Sequence, residues 1–262
     1  MRPLVAAIVA LALAAPAALA EPVTETVKRD NVSAEFTYDR DGQDYGKFHL
    51  KITHDGAVLW NKDVPAGCKE PCGVRPAYIV SKKDSVRLRD LDGDRDPEVI
   101  VDLFTGGAHC CLVSNIYWFE EGGGKYTPLK RDWKDAGYRF AGSKLRSRDA
   151  RFAYRFASYA ESYLPVQIFE FREGALKDVT KEHRRILRKD ATRALKLYKR
   201  QRSRPGINLR GVLAAYAADR YRLGQRKGAR AVLRGAVARG DVDEAFLGQV
   251  DRYLKKIKYT GR

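Results

Sequence analysis

Carboxylates alternate with other residues over one short stretch in the first half of the chain. The acids are Asp90, Asp92, Asp94, Asp96 and Glu98, and the apolar run EVIVDLF begins at the last of them. Like charges this close repel one another unless a cation lies among them. A run rich in β-branched residues and bounded by turn residues predicts a buried strand. The chain must therefore adopt a fold in which an acidic turn leads directly into a strand.

Calcium is the cation that this turn is predicted to bind, because calcium takes about six to eight oxygen ligands. Asp90, Asp92 and Asp94 offer side-chain oxygens at alternate positions. Asp96 offers its backbone carbonyl, and the longer side chain of Glu98 can bind through two oxygens. The alternative is a polar surface turn that binds no ion. We expect a calcium site with a structural role.

The calcium loop of an EF-hand does not fit this sequence. An EF-hand needs Gly at the sixth position and Glu at the twelfth, where this chain has Arg95 and Val101. A predicted strand, and not a helix, follows the acids. The loop must therefore belong to another kind of calcium site.

The region around the acidic turn is predicted to be antiparallel β-sheet. KFHLKITHDGAVLWNKDV alternates apolar and polar residues on both sides of Asp55-Gly56, which is a hairpin pattern whose turn requires positive φ. Three further segments, PEVIVDLF, SNIYWFEEGGGKY and PVQIFEFREGALK, are rich in β-branched and aromatic residues and are separated by glycines.

A shift of 52 residues aligns two parts of this region. Residues 116–125 then match residues 168–177, and residues 86–88 match residues 138–140. A constant offset over such a length indicates an internal duplication.

The second copy carries basic residues where the first carries acids. Under the same shift Lys144, Arg146 and Arg148 take the places of three of the acids, so the second copy cannot bind a cation there. We hypothesise that these three residues form salt bridges or bind an anion. The alternative is a solvated basic loop.

The four cysteines predict two disulfides. Cys68, Cys72, Cys110 and Cys111 make an even count in a chain that is predicted to be exported. Adjacent strand residues point to opposite faces, so Cys110 and Cys111 are expected to pair with Cys68 and Cys72, in either combination. The alternative is a zinc site formed by Cys68, Cys72, His109 and Cys110, which an oxidising compartment disfavours.

The first 20 residues are predicted to be a signal peptide. The run Leu4 to Leu13 is apolar, and Ala18 and Ala20 form a cleavage site of the Ala-x-Ala type before Glu21. The alternative, a retained membrane anchor, needs about 20 apolar residues, and a proline interrupts this run. No later segment is apolar enough to span a bilayer. We expect a secreted or cell-envelope protein, periplasmic in a Gram-negative cell.

Charge divides the remaining chain into two parts. Residues 181–262 hold 24 Lys plus Arg against 7 Asp plus Glu, which accounts for the whole net charge of +17. We therefore predict a β-rich domain over 21–180, with the calcium loop and the disulfides, and a basic α-helical domain over 181–262.

The basic part is predicted to form a helical bundle. Apolar residues recur at helical spacing from Thr180 onward, Asn208 can cap the second helix, and Gly224 and Gly240 end the second and third. Clustered Lys and Arg attract polyanions, so anionic cell-envelope polymers or polysaccharide are the expected partners. The alternative is a set of solvated helix faces. No motif for specific nucleic-acid recognition is present.

The residues DLDGDRDPEVIV resemble FG-GAP and VCBS repeats, the integrin-α-type calcium loops. The chain also resembles a group of secreted bacterial proteins that carry one such loop followed by GGAHCC, a likeness that continues through RDARFAYRF, LPVQIFEF and LKDVT. The resemblance implies the same five acids as ligands, with Asp96 binding through its carbonyl. Arg95 departs from the usual glycine and Glu98 from the commoner aspartate.

The resemblance also implies a fold. FG-GAP and VCBS repeats form propeller blades, and three blade-like units lie near 33–80, 84–135 and 136–180. A propeller usually needs about four or more blades, so we expect a compact, disulfide-linked assembly of sheets. The predicted class is α+β, with an antiparallel, blade-like N-terminal domain followed by a C-terminal helical bundle.

The sequence favours a non-catalytic binding or scaffold module. The four histidines are scattered, and the chain has neither a Gly-x-Ser-x-Gly motif nor a phosphate-binding glycine loop. No catalytic residue is predicted. The alternative function is an exported hydrolase or carbohydrate-active enzyme that uses the acidic loop.

Overall fold

The computed structural model describes residues 21–65, 67, 73–77, 84–106 and 111–260. These residues form three antiparallel sheets, followed by four helices. The predicted α+β class is confirmed. The predicted signal peptide lies outside the described residues.

The first sheet contains four strands in sequential order. They are β1 (Glu21–Arg29), β2 (Val32–Asp41), β3 (Asp44–His54) and β4 (Ala57–Asp63). The predicted hairpin is confirmed, because β3 and β4 meet at Asp55 and Gly56, whose φ angles are 48° and 80°.

The second sheet is built around a strand that is buried on both faces. Its strands are β5 (Arg75–Pro76), β6 (Val86–Arg89), β7 (Glu98–Phe104), β8 (Leu112–Glu120) and β9 (Lys125–Lys134). Both β5 and β6 pair with one edge of β7, and β8 pairs with its other edge. Six of the seven residues of β7 are buried, which explains why its sequence is apolar without alternation.

The third sheet repeats the β6-to-β9 order of the second. Its strands are β10 (Tyr138–Ala141), β11 (Lys144–Arg148), β12 (Val166–Arg172) and β13 (Ala175–Asp178). The segment 144–148, which one interpretation took as a solvated loop, is therefore a strand. A turn of only two residues, 142–143, joins it to β10.

Strand pairing corrects the expected correspondence between the two copies. The shift of 52 residues places β6 on β10, but it does not place β7 on β11. Ile116 of β8 pairs with Ile100, and its counterpart Ile168 pairs with Arg146. Arg146 therefore corresponds to Ile100, and not to an acid of the turn, because the turn before β11 is shorter.

The three sheets and the helices pack as successive layers. One face of β7, with Val99 and Val101, packs against the first sheet. Its other face, with Ile100, packs against the third sheet. On the far side of the third sheet, Val166 and Ile168 pack against helical residues.

The C-terminal helices follow the predicted pattern. They are α1 (Arg184–Gln201), α2 (Arg210–Arg222), α3 (Arg226–Ala238) and α4 (Ala245–Lys256). Gly224 and Gly240 follow α2 and α3 with positive φ, as predicted. The side chain of Asn208 accepts the Arg210 N–H at the start of α2. No helix of the described residues has the length and hydropathy needed to cross a membrane.

Helix α2 is buried on more than one face. Val212, Leu213 and Tyr216 are buried, and so are Ala214 and Ala218. Small alanine side chains allow neighbouring elements to approach α2 from several sides. It is the central helix of the bundle.

Candidate metal site

Three of the five predicted ligands converge in the acidic turn. Carboxylate oxygens of Asp90, Asp92 and Glu98 all lie within 4.8 Å of one another. Asp90 and Asp92 lie in the turn between β6 and β7, whereas Glu98 is the first residue of β7. The strand thus places a third carboxylate beside the two that the turn provides.

Hydrogen bonds from backbone amides hold the turn in its shape. The Gly93 N–H donates to Asp90 Oδ1 at 2.6 Å, and the Asp96 N–H donates to Asp94 Oδ1 at 2.7 Å. The Asp94 N–H donates to Asp92 Oδ1 at 3.3 Å. Such bonds from the side chain of an aspartate to the backbone two or three residues later favour a tight turn.

Two residues of the turn have left-handed backbone conformations. Gly93 has a φ of 91° and Arg95 a φ of 78°. Glycine adopts such angles freely, whereas a residue with a Cβ does so at a cost. The φ of Arg95 therefore introduces local backbone strain in the turn.

Glu98 lies in an unfavourable environment for a charged carboxylate. Its side chain is buried, and its Oε2 accepts a hydrogen bond from the Leu91 N–H at 2.7 Å. Burial, with a further contribution from the negative charge of Asp92, raises the pKa of Glu98 to about 8. A bound cation would remove this penalty by neutralising the cluster.

The Asp96 side chain contacts the first sheet and does not belong to the group of three converging acids. Its Oδ2 lies 3.0 Å from Nε2 of His54, at the end of β3. The His54 ring stacks on Phe119, with 4.3 Å between the ring centroids. The role of the Asp96 carbonyl as a ligand stays a prediction. The other carboxylate oxygen of Asp96 is buried and has no hydrogen-bond partner within the described chain.

Sequence reasoning missed the contact between Asp96 and His54. The two residues are separated by 42 positions, and a lone histidine at the end of a strand carries no local signal of its partner. Asp94 does not belong to the group of three converging acids. Its side chain instead shapes the turn through the bond to the Asp96 amide.

The cysteines and the zinc alternative lie largely outside the described residues. This holds for Cys68, Cys72, His109 and Cys110, so the proposed pairing and the zinc site stay predictions. Cys111 is described, and it is disulfide-bonded.

The three residues of the predicted anion site occupy different environments. Lys144, Arg146 and Arg148 lie at alternate positions of β11 and therefore share one face. Lys144 is paired with Glu170 at 3.1 Å. Arg148 donates to the carbonyl of Leu164 at 2.6 Å.

Comparison with known proteins gives one distant relationship. A protein of Synechocystis sp. (strain ATCC 27184 / PCC 6803 / Kazusa), named a probable thylakoid lumen protein, is 26% identical to this chain over 218 residues. The match covers 76% of this chain and 59% of that protein, so the chain spans less than two thirds of its relative. No protein-family model matches the sequence, and no solved structure matches it.

Proposed function

We propose that this protein is an extracytoplasmic, non-catalytic module that calcium stabilises through an FG-GAP/VCBS-like loop. The observation that carries the proposal is the convergence of Asp90, Asp92 and Glu98 within 4.8 Å at the start of the central strand. Oxygen ligands of this kind and density suit calcium.

Asp90, Asp92 and Glu98 would hold the ion, together with the Asp96 carbonyl. The chemistry that calcium supplies there is neutralisation of the three carboxylates. Since β7 pairs with neighbours on both edges, an ion at its first residue would tie the turn to the centre of the sheet assembly. An ion that binds only the folded state stabilises it by mass action.

The burial of Glu98 argues for a structural role. A raised pKa is typical of a general acid, but a catalytic carboxyl must also reach a substrate. Glu98 is 3% exposed and is bonded to the Leu91 amide. This arrangement favours the binding module over the hydrolase.

The layered sheets support a blade-like interpretation of the fold. The second and third sheets share a four-strand order and stack face to face, as blades of a propeller do. The three sheets form an open stack that ends at the helical layer.

The location outside the cytoplasm rests on two independent supports. The first is the signal-peptide pattern of residues 1–20. The second is the name of the distant relative, a probable thylakoid lumen protein. The basic outer faces of the helices would tether the module to an anionic envelope surface.

Chemical denaturation with calcium and with a chelator tests the proposal. Calcium at about 100 times its dissociation constant is expected to raise the free energy of unfolding by about 2–3 kcal/mol. The double variant Asp90→Asn and Asp92→Asn should lose this gain. A matched control, Asp41→Asn and Asp44→Asn, removes two exposed carboxylates that flank the β2–β3 turn and should keep this gain.

A wild-type protein that unfolds at the same denaturant concentration in calcium and in chelator contradicts the proposal. Magnesium serves as the test of selectivity. It demands a smaller and more regular oxygen shell, so it should stabilise the protein less than calcium does.

A further inference from the structure

A cavity of about 450 Å³ opens between the third sheet and α1. Nine of the described residues line it; four of these are arginines and none is an acid. The arginines are Arg139, Arg146, Arg148 and Arg193. Three of them come from β10 and β11, and the fourth comes from α1. We call this cavity the arginine pocket.

Two arginines of the pocket oppose each other across a strand pair. Arg139 of β10 pairs directly with Arg146 of β11. Like charges at such positions destabilise a sheet. Among the residues that the structure describes, neither side chain forms a direct ion pair, and Arg146 is attracted only from a longer distance by Asp190. The two positive charges therefore repel each other, and an anion bound between them would attract both.

The other two arginines share one buried acid. Arg148 and Arg193 each place a guanidinium nitrogen near Asp190 Oδ1, at 3.7 and 3.8 Å. Asp190 already accepts hydrogen bonds from the Tyr163 hydroxyl and the Val166 N–H, both at 3.1 Å. One carboxylate, engaged elsewhere, cannot neutralise four guanidinium groups.

The second sheet shows how the same position is neutralised elsewhere in the chain. By strand register, Arg139 corresponds to Arg87 and Arg148 corresponds to Asp102. Arg87 and Asp102 form an ion pair in the buried layer between the second and third sheets. In the third sheet an arginine replaces the carboxylate, so the counter-charge is missing.

Arg146 is partly withdrawn from water. Burial lowers its pKa, and the positive charge of Arg139 lowers it further. A guanidinium group in this position gains more from an anionic ligand than a fully hydrated one does.

We propose that the arginine pocket binds a dianionic oxyanion of the phosphate class, either free or as a terminal group of a larger molecule. Guanidinium groups bind the oxygens of phosphate through paired N–H donors, and several such groups line the pocket. Lys144, which was predicted to belong to this site, does not line it, because Glu170 engages its side chain.

A neighbouring cavity leaves room for the rest of a larger ligand. It has a volume of about 660 Å³, shares Arg193 with the pocket and extends along α1. Tyr163 and Leu197 contribute apolar surface to it, and the remaining residues of α1 that line it are mainly basic.

Titration calorimetry with inorganic phosphate tests the inference, at an ionic strength kept constant with chloride and in the presence of chelator. The double variant Arg139→Gln and Arg146→Gln should bind phosphate at least about tenfold more weakly than the wild type. The matched control, Arg185→Gln and Arg234→Gln, removes the same charge from exposed helical positions and should bind as the wild type does.

Stability in phosphate-free buffer separates binding from a structural role. The pocket variant should unfold at the same or a higher denaturant concentration than the wild type, because it removes a like-charge pair. Phosphate should then stabilise the wild type and not the variant. A loss of stability in the variant without phosphate would assign these arginines to the fold and overturn the inference.

The source of the oxyanion is distinguished with glycerol 3-phosphate. Equal affinity for this phosphomonoester would identify a phosphoryl group on a larger molecule, and affinity for inorganic phosphate alone would identify the free ion. Absence of phosphate binding by the wild type, or equal weakening in the control variant, would overturn the proposal. Because chelator is present throughout, this outcome is independent of the calcium site.

Discussion

The second and third sheets use the same strand order with opposite charge. In the second sheet, the face of β7 that points to the next layer carries Glu98, Ile100 and Asp102, whereas the corresponding face of β11 carries Lys144, Arg146 and Arg148. The third sheet covers this face of β7, whereas helices cover the corresponding face of β11. The comparison shows that the two sheets keep the same strand order, whereas the charge on the matching face differs with the layer that covers it.

Loop lengths differ in a complementary way. Eight residues, 90–97, join β6 to β7, but two residues, 142–143, join β10 to β11. The third sheet instead has a long connection, 149–165, between β11 and β12. This connection contributes Phe152 to the core of the helical bundle. The second sheet thus has a long turn, which holds the acids, and the third sheet has a long connection, which reaches the helices.

The largest effect is expected when the ion pair between Arg87 and Asp102 of the second sheet is broken. Asp102→Asn leaves Arg87 without its counter-charge in a layer where Asp102 is fully buried. Loss of one partner of a buried pair costs about 3–5 kcal/mol, which urea denaturation would measure. The control Asp132→Asn removes an exposed partner of Lys134 and should cost less than about 1 kcal/mol. Similar losses in both variants would contradict the assigned difference between the two sheets.

A second prediction separates the two roles of Glu98. In chelator, Glu98→Gln should raise the free energy of unfolding by about 1–3 kcal/mol, because burial raises the pKa of the native carboxyl to about 8 and the amide carries no charge. In calcium the variant should lose the stabilisation by the ion. The order of stability of the variant and the wild type is therefore expected to reverse between the two buffers. A variant that is less stable than the wild type in both would show that Glu98 is needed for packing alone.

A third prediction concerns the helical layer that covers the third sheet. Burial, with the added charge of Asp190, raises the pKa of Asp219 well above its ordinary value of 3.8. Asp219 shares a hydrogen bond with Asp190, which two charged carboxylates cannot form, so one of the two must carry a proton. The folded state therefore holds a proton that the unfolded state releases, and stability falls as pH rises above about 4.

The substitution Asp219→Asn is expected to remove this dependence of stability on pH. The variant should be more stable than the wild type near neutral pH, with no gain at acid pH, where Asp219 of the wild type is protonated in both the folded and the unfolded state. Thermal unfolding over a pH series would measure the difference. A constant difference at all pH values would attribute the effect to packing.

The smallest predicted effect compares the two turns. Arg95→Gly should stabilise the protein by about 0.5–1 kcal/mol, because Arg95 has a φ of 78° that glycine adopts without strain. Gly142→Ala in the short turn of the third sheet should destabilise it by a similar amount, since Gly142 has a φ of 68°. Two variants of the same sign would refute this account of the turns.

Much of the fold could be predicted because its signals are local. The Asp55-Gly56 hairpin and the glycines after α2 and α3 follow from backbone preferences of single residues. The acidic turn before β7 was also visible, since alternating acids next to an apolar run form one short motif. The strand β11 was missed because its alternate residues are basic, and basic residues at period two also suit a solvated loop.

The candidate site could be predicted only in part. Sequence spacing predicted all five acids of the turn as ligands, but it could not show that Glu98 joins Asp90 and Asp92 while Asp94 accepts a hydrogen bond from the Asp96 amide. Distances between oxygens depend on the turn conformation. The arginine pocket was less accessible still, because Arg193 comes from α1, far along the chain from β10 and β11.

The sequence by itself determined the class of the fold, the strand that follows the acidic turn and the concentration of positive charge after residue 180. Each depends on periodicity, local backbone preference or a count of residues. The tertiary structure decided which acids meet, that Asp96 bonds to His54, and that one arginine of α1 joins three of the third sheet. These contacts arise from the stacking of layers, and the free energy of stacking depends on residues that are distant in sequence.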